Sequence, residues 1–186
     1  MAYKLFDPLG KELTYHDLQD KGLWCIAGAS KEETFVRLYG ERLNLIIHPE
    51  KASNRYGPDL LNTANGLPGD LKTQNTPFFQ AQERFQMPPQ FVVVFNGKDR
   101  ERYSQLYPNI EIYFAVDWQA VRFETWGKAI AVQPMAGVWK ISFPALQELL
   151  KKAPFHSYQQ RMTDQKGNAK GSYVLDLRQP GFNRVV

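Results

Sequence analysis

The interval from Gly57 to Gln74 constrains the fold more than any other part of the chain. Pro58-Asp59-Leu60-Leu61 and Asp70-Leu71-Lys72-Thr73-Gln74 read as short strands, and Asn65-Gly66-Leu67-Pro68-Gly69 between them has the residues of a hairpin turn. An antiparallel hairpin brings Asp59 and Asp70, eleven residues apart in sequence, side by side at one end of a sheet. Asp70 and Lys72 are two residues apart, so in a strand they project from the same face. Two carboxylates and one ammonium are expected to converge.

Around this hairpin the pattern predicts a single α/β domain over residues 1–186, with a core over about 28–155 and a basic C-terminal extension over about 156–186. A turn is expected at Asp7-Pro8-Leu9-Gly10 and a short helix from Thr14 to Lys21. Ser30 can cap the next helix, with Glu33 as its capping-box partner. Phe35, Val36, Leu38, Tyr39 and Leu43 form that helix's apolar stripe. Leu43–His48, Phe91–Phe95, Ile110–Val116 and Tyr173–Leu177 are strand candidates, and Val121–Trp126 and Gly137–Ile141 are expected to extend the same mixed central sheet. A helix is predicted from Pro144 to Lys152, with its proline in the first turn. Trp118, Trp126 and Trp139 are expected in the core. Lys98-Asp99-Arg100-Glu101-Arg102 alternates in sign, the pattern of a solvated helix start.

Several chemistries are disfavoured. Cys25 is the only cysteine, which leaves no intrachain disulfide and no cysteine-rich zinc site. His16, His48 and His156 show no helical metal-ligand spacing, and His48 reads as an ordinary strand-end residue. No apolar run approaches membrane-spanning length, and Met-Ala-Tyr-Lys-Leu-Phe-Asp lacks a signal-peptide core. A cytoplasmic protein without a membrane partner is expected.

A carboxylate pair beside a lysine suits metal-assisted phosphodiester cleavage. A hard cation such as magnesium takes oxygen ligands and keeps several waters, so two carboxylates supply a fitting partial cage. The ion lowers the pKa of a bound water, and an adjacent ammonium can orient that water or offset transition-state charge. Asp59, Asp70 and Lys72 are the residues assigned here on geometry alone. Repulsion between the two carboxylates should make Asp70→Asn slightly stabilising in the ion-free protein.

Pro58-Asp59 followed by Asp70-Leu71-Lys72 resembles the signature of the PD-(D/E)XK nucleases, the superfamily of many restriction endonucleases and of archaeal-type Holliday-junction resolvases. The resemblance covers about residues 28–95. It implies a restriction-endonuclease-like core with a mixed central sheet flanked by helices. It also implies magnesium as cofactor, manganese as a substitute, and DNA as substrate. Asp59, Asp70 and the backbone of Leu71 would be the metal ligands, with Lys72 supporting the attacking water and Gln74 assisting positioning. In the resolvase branch a helix opens on a glycine and carries a glutamate four residues on, a spacing that Gly28 and Glu32 repeat. Glu32 also lies on the core-facing side, three residues before Phe35, whereas Glu33 is accounted for by the capping box. Glu32 is therefore the helix carboxylate expected at the site. One such site cuts one strand, so duplex or junction cleavage would call for a homodimer.

The net charge of +4 is unevenly spread: residues 140–186 hold eight Lys or Arg against three acidic residues. Arg161, Lys166 and Lys170, interleaved with glycine, suit contact with a nucleic-acid backbone. A solvated basic face gives the same pattern. A catalytically inactive nucleic-acid-binding domain and a protein-interaction domain of the same fold also remain open on the sequence.

Overall fold

The computed structural model describes residues 3–14, 30–54, 56–157 and 171–186. The predicted helix Thr14–Lys21, apart from Thr14 itself, and the basic residues Arg161, Lys166 and Lys170 lie outside the described residues.

Helix α1 (Lys31–Leu43) starts where the capping box requires it, with Ser30 accepting from the Glu33 N–H and Glu33 accepting from the Ser30 N–H. It ends at Asn44, which takes the left-handed conformation at φ 56°. Gly40 permits that closure, because a Cβ there would stand 2.7 Å from the Leu45 carbonyl oxygen. The following strand β3 is therefore Leu45–Ile47, shorter than the apolar run from Leu43. Of the expected stripe, Phe35 is fully buried but Leu38 is 52% exposed: it falls on the outer edge of an arc that the core does not reach.

The terminal strands β1 (Lys4–Phe6) and β2 (Glu12–Leu13) flank the turn at Asp7–Gly10. After β3 come β4 (Leu60–Asn62), β5 (Pro68–Gln74), helix α2 (Ala81–Phe85), β6 (Val92–Asn96), helix α3 (Gly97–Leu106) and β7 (Glu111–Asp117). Then follow β8 (Arg122–Thr125), β9 (Lys128–Ala131), β10 (Ala136–Ser142), helix α4 (Phe143–Leu150), β11 (Phe155–His156), β12 (Ser172–Asp176) and β13 (Asn183–Arg184). The central six-stranded sheet has the order β13-β10-β7-β5-β4-β3 and is mixed: β5 and β7 run parallel, while the other neighbours are antiparallel. A parallel pair needs a long crossover, and here α2, β6 and α3 fill it.

Alternate residues of β7 separate two packing layers. Tyr113 and Ala115 join Phe35, Leu60 and Leu71 on the α1 side. Ile112, Phe114 and Val116 join Tyr103 of α3, Leu146 of α4 and Phe95 and Leu175 of the small sheet β11-β12-β6. With both faces covered, β7 is apolar almost throughout. Residues 172–176 pair along the whole of β6, so the chain after 171 is built into the layers around the central sheet.

Two expectations fail. Val121–Trp126 does not extend the central sheet: β8 pairs with β1 and β9 in a separate four-stranded sheet, a choice of partner that strand alternation does not encode. Trp126 is 97% exposed beside Gly127 in the β8–β9 turn, whereas Trp118 and Trp139 are buried as expected.

Candidate active site

The β4–β5 hairpin is shaped by its turn. Asn62 accepts through its side chain from the Ala64 and Asn65 N–H groups, and Gly66 adopts φ 71°. Gly69 lets the hairpin lie on Tyr113, since a Cβ there would come within 3.0 Å of the ring. Leu60 pairs with Gly69, so the next pair toward the open end of the hairpin sets Asp59 opposite Asp70. The Asp70 carboxylate projects toward α3, away from Leu71 on the α1 side.

Asp59 is 8% exposed. Its Oδ2 accepts from the Leu71 N–H at 3.1 Å, and its Oδ1 accepts from the Lys51 ammonium. Lys51 sits on a 3₁₀ turn, Pro49–Ala52, capped by the His48 ring, so His48 is a satisfied structural residue. The Lys51 ammonium also stands 3.8 Å from Glu32. Burial, with the neighbouring Asp70 charge second, pushes the Asp59 carboxyl above the ordinary aspartate range, more than Lys51 and the Leu71 N–H pull it down.

Asp70 is 4% exposed and differently held. Tyr103 donates its hydroxyl to Oδ1, and the Lys72 ammonium lies 2.8 Å from Oδ2. Burial is the largest single influence and acts upward. The Lys72 charge and hydrogen bond, the Tyr103 hydroxyl and a hydrogen bond from Asp59 together outweigh it, and Asp70 ends below the ordinary range. In the ion-free pair Asp70 is thus the charged member, and Asp59 keeps its proton longer. Lys72 is also gripped by Asp99, 2.5 Å away on α3. Burial pulls the Lys72 pKa down, but the two carboxylates carry it above the ordinary lysine value.

Helix α3 supplies the residues that sequence reasoning missed. Asp99, Arg102 and Tyr103 stand at i, i+3 and i+4, the spacing of one helical face. Arg102 donates to the Tyr103 hydroxyl at 2.6 Å and pairs with Asp99 at 3.0 Å, so a chain of donors runs from Arg102 through Tyr103 to Asp70. The sign alternation from Lys98 to Arg102 suggested solvent, yet Asp99 is drawn inward by Lys72. The spacing of Asp99, Arg102 and Tyr103 was the available signal.

Of the other expected residues, Glu32 reaches the site through Lys51, while Glu33 is occupied by its capping bond. Gln74 donates to the Val94 carbonyl oxygen at 3.1 Å and accepts from the Val94 N–H at 3.3 Å. It clips β5 to β6, the strand that leads into α3, and borders a cleft together with Lys72. Two clefts border the lysines that pair with the aspartates: one of about 350 Å³ beside Lys72, Gln74, Asn96 and Asp99, and one of about 390 Å³ beside Glu32, His48 and Lys51. A further cleft, about 630 Å³, lies on the other side of α3 beside Arg100, Phe155 and Tyr173, away from the carboxylates.

Among the described residues no group of three or more His, Cys, Asp or Glu side chains is arranged around one ion. The two facing carboxylates are oxygen donors of the kind a hard cation takes, and Asp59 Oδ1 accepts from a cationic group, the Lys51 ammonium. No family model, no curated protein and no solved structure matches the chain. The described residues contain no helix long and apolar enough to cross a membrane.

Proposed function

We propose that the chain is a magnesium-dependent endonuclease that hydrolyses phosphodiester bonds of DNA, on a restriction-endonuclease-like core. One observation carries this reading: Asp59 and Asp70 face each other across a hairpin, with the Lys72 ammonium 2.8 Å from Asp70 and bordering a cleft. Two like charges about 4 Å apart repel by about 4 kcal/mol at an effective dielectric of about 20, which favours either a shared proton or a bound cation. The resemblance of Pro58-Asp59 and Asp70-Leu71-Lys72 to PD-(D/E)XK nucleases, preceded by a glutamate-bearing helix, supports the same choice.

Asp59, Asp70 and the Leu71 backbone would hold the magnesium ion, with manganese as a substitute. When bound, the ion supplies a polarised phosphate oxygen and a more acidic water. Lys72, fixed between Asp70 and Asp99, orients the attacking water and offsets negative charge at phosphorus. The water oxygen forms the new P–O bond as the bridging P–O bond breaks, and the leaving oxygen takes up a proton. Glu32, which borders the cleft on the opposite side, would orient a metal-bound water or a second ion, and the proton of the attacking water passes to solvent. Arg161, Lys166 and Lys170 are proposed to hold the phosphate backbone, and a homodimer would be needed to cut both strands. A cytoplasmic location is part of this proposal.

A second reading treats the cluster as a structural ion-pair network in a non-catalytic nucleic-acid-binding domain. It is favoured by the pairing of Lys51, Lys72 and Arg102 with Glu32, Asp59, Asp70 and Asp99, three cations against four carboxylates. Incubation with duplex, single-stranded, flapped and four-way-junction DNA separates the two. Cleavage that requires magnesium or manganese, stops with EDTA and disappears in Asp70→Ala is expected. Activity that survives both EDTA and that substitution would sink the metal mechanism.

A further inference from the structure

The Lys51 ammonium occupies one of the two oxygens that Asp59 could offer a cation. It donates to Oδ1, the oxygen left over once Oδ2 has accepted the Leu71 N–H. Its second partner is Glu32 at 3.8 Å, so one ammonium spans the helix carboxylate and the hairpin carboxylate. The Lys51 backbone is fixed: its N–H donates to the His48 carbonyl oxygen at 3.0 Å, and the His48 N–H donates to the Asp59 carbonyl oxygen at 3.0 Å. The side chain is 28% exposed and borders the cleft of about 390 Å³. Lys72 is held more closely, with Asp70 and Asp99 at 2.8 and 2.5 Å, whereas the second partner of Lys51 stands 3.8 Å away.

A divalent ion at Asp59 would repel a neighbouring ammonium twice as strongly as a unit charge at the same distance. The two therefore exclude each other from Oδ1. We propose that Lys51 is a transferable cation: it neutralises Asp59 and Glu32 in the ion-free protein, gives way to the divalent ion, and then binds a phosphate of the DNA from the rim of the cleft. This rests on the reading of Asp59 and Asp70 as a cation site. Metal loading and DNA capture are then coupled through one side chain, so that the phosphate-binding charge is released only when the ion is in place.

Manganese titration by calorimetry and DNA binding by fluorescence anisotropy in calcium, both on the full chain, test this with Lys51→Met and Lys51→Gln. Both variants should bind manganese about tenfold more tightly than the unaltered protein and DNA about tenfold more weakly. Lys51→Arg should stay near the unaltered protein in both measurements. A lysine with a merely structural role does not move the two affinities in opposite directions. Equal or weaker manganese binding in both variants overturns the exchange while leaving the cation site standing. Tighter manganese binding with unchanged DNA affinity overturns the transfer to phosphate. Absence of manganese binding in every protein, the unaltered one included, overturns the cation site itself and the exchange with it.

Discussion

Asp59 and Asp70 are neighbours on one hairpin, equally part of one motif, and held in opposite ways. Asp70 faces α3 and is enclosed by Tyr103, Lys72 and, one step further out, Asp99 and Arg102. Apart from Asp70 itself, Asp59 is held by the Leu71 N–H and a partly exposed lysine from a short turn. Burial raises the proton affinity of both, but only Asp70 has enough donors to reverse the effect. The difference teaches that a paired-carboxylate site is not symmetric before its ion arrives. One member is fixed and charged, and the other remains adaptable.

The largest contrast should appear between the two lysines. Lys72→Met leaves Asp70 and Asp99 buried without their shared cation, and removing one partner of a buried pair costs about 3–5 kcal/mol. Lys51→Met removes a pairing that is less buried on the lysine side and leaves a carboxyl that can take up a proton, so its cost should be smaller, about 1–2 kcal/mol. Urea denaturation of both variants gives these values. Similar losses in the two would mean that Lys51 is as much a part of the scaffold as Lys72.

The aspartates should differ in sign. Asp70 is depressed in the folded state, so its stabilising contribution is present above the ordinary aspartate pKa of about 3.9 and is lost as pH falls through the folded value. Asp70→Asn should therefore destabilise at pH 7, by about 2 kcal/mol, and much less in acid. This corrects the expectation that Asp70→Asn relieves repulsion, because Lys72 and Tyr103 already stabilise that charge. Asp59 is raised, so the folded state holds the proton more tightly, and stability declines as pH rises from about 3.9 through the folded value. Asp59→Asn should gain about 1 kcal/mol at pH 7 and nothing near pH 3. Thermal unfolding across that range checks both, and a loss at pH 7 in Asp59→Asn would remove the asymmetry.

What the sequence disclosed divides along the same line. The capping box of Ser30 and Glu33, the turn at Gly66 and the facing of Asp59 and Asp70 depend on a few adjacent residues, and each was legible. Helix α4 likewise followed from Pro144 in its first turn. The enclosure of Asp70 was not legible, because Tyr103 arrives from 33 residues away and its role depends on how α3 packs on the sheet. Lys51 stood in a polar stretch with no period to mark it, and only the tertiary approach of the 3₁₀ turn to Asp59 gives it a partner. The pairing of β8 with β1 was hidden for the same reason, since register along a strand does not name a distant partner.

Carboxyl-carbon NMR of Asp59 and Asp70, titrated against pH without and then with magnesium, tests the cation site most directly. Without the ion, Asp70 should titrate below about 3.9 and Asp59 above it. With magnesium, the Asp59 midpoint should fall below that value, because a bound cation favours the ionised form, while Asp70 stays low. Midpoints that ignore magnesium would contradict a cation site at this hairpin.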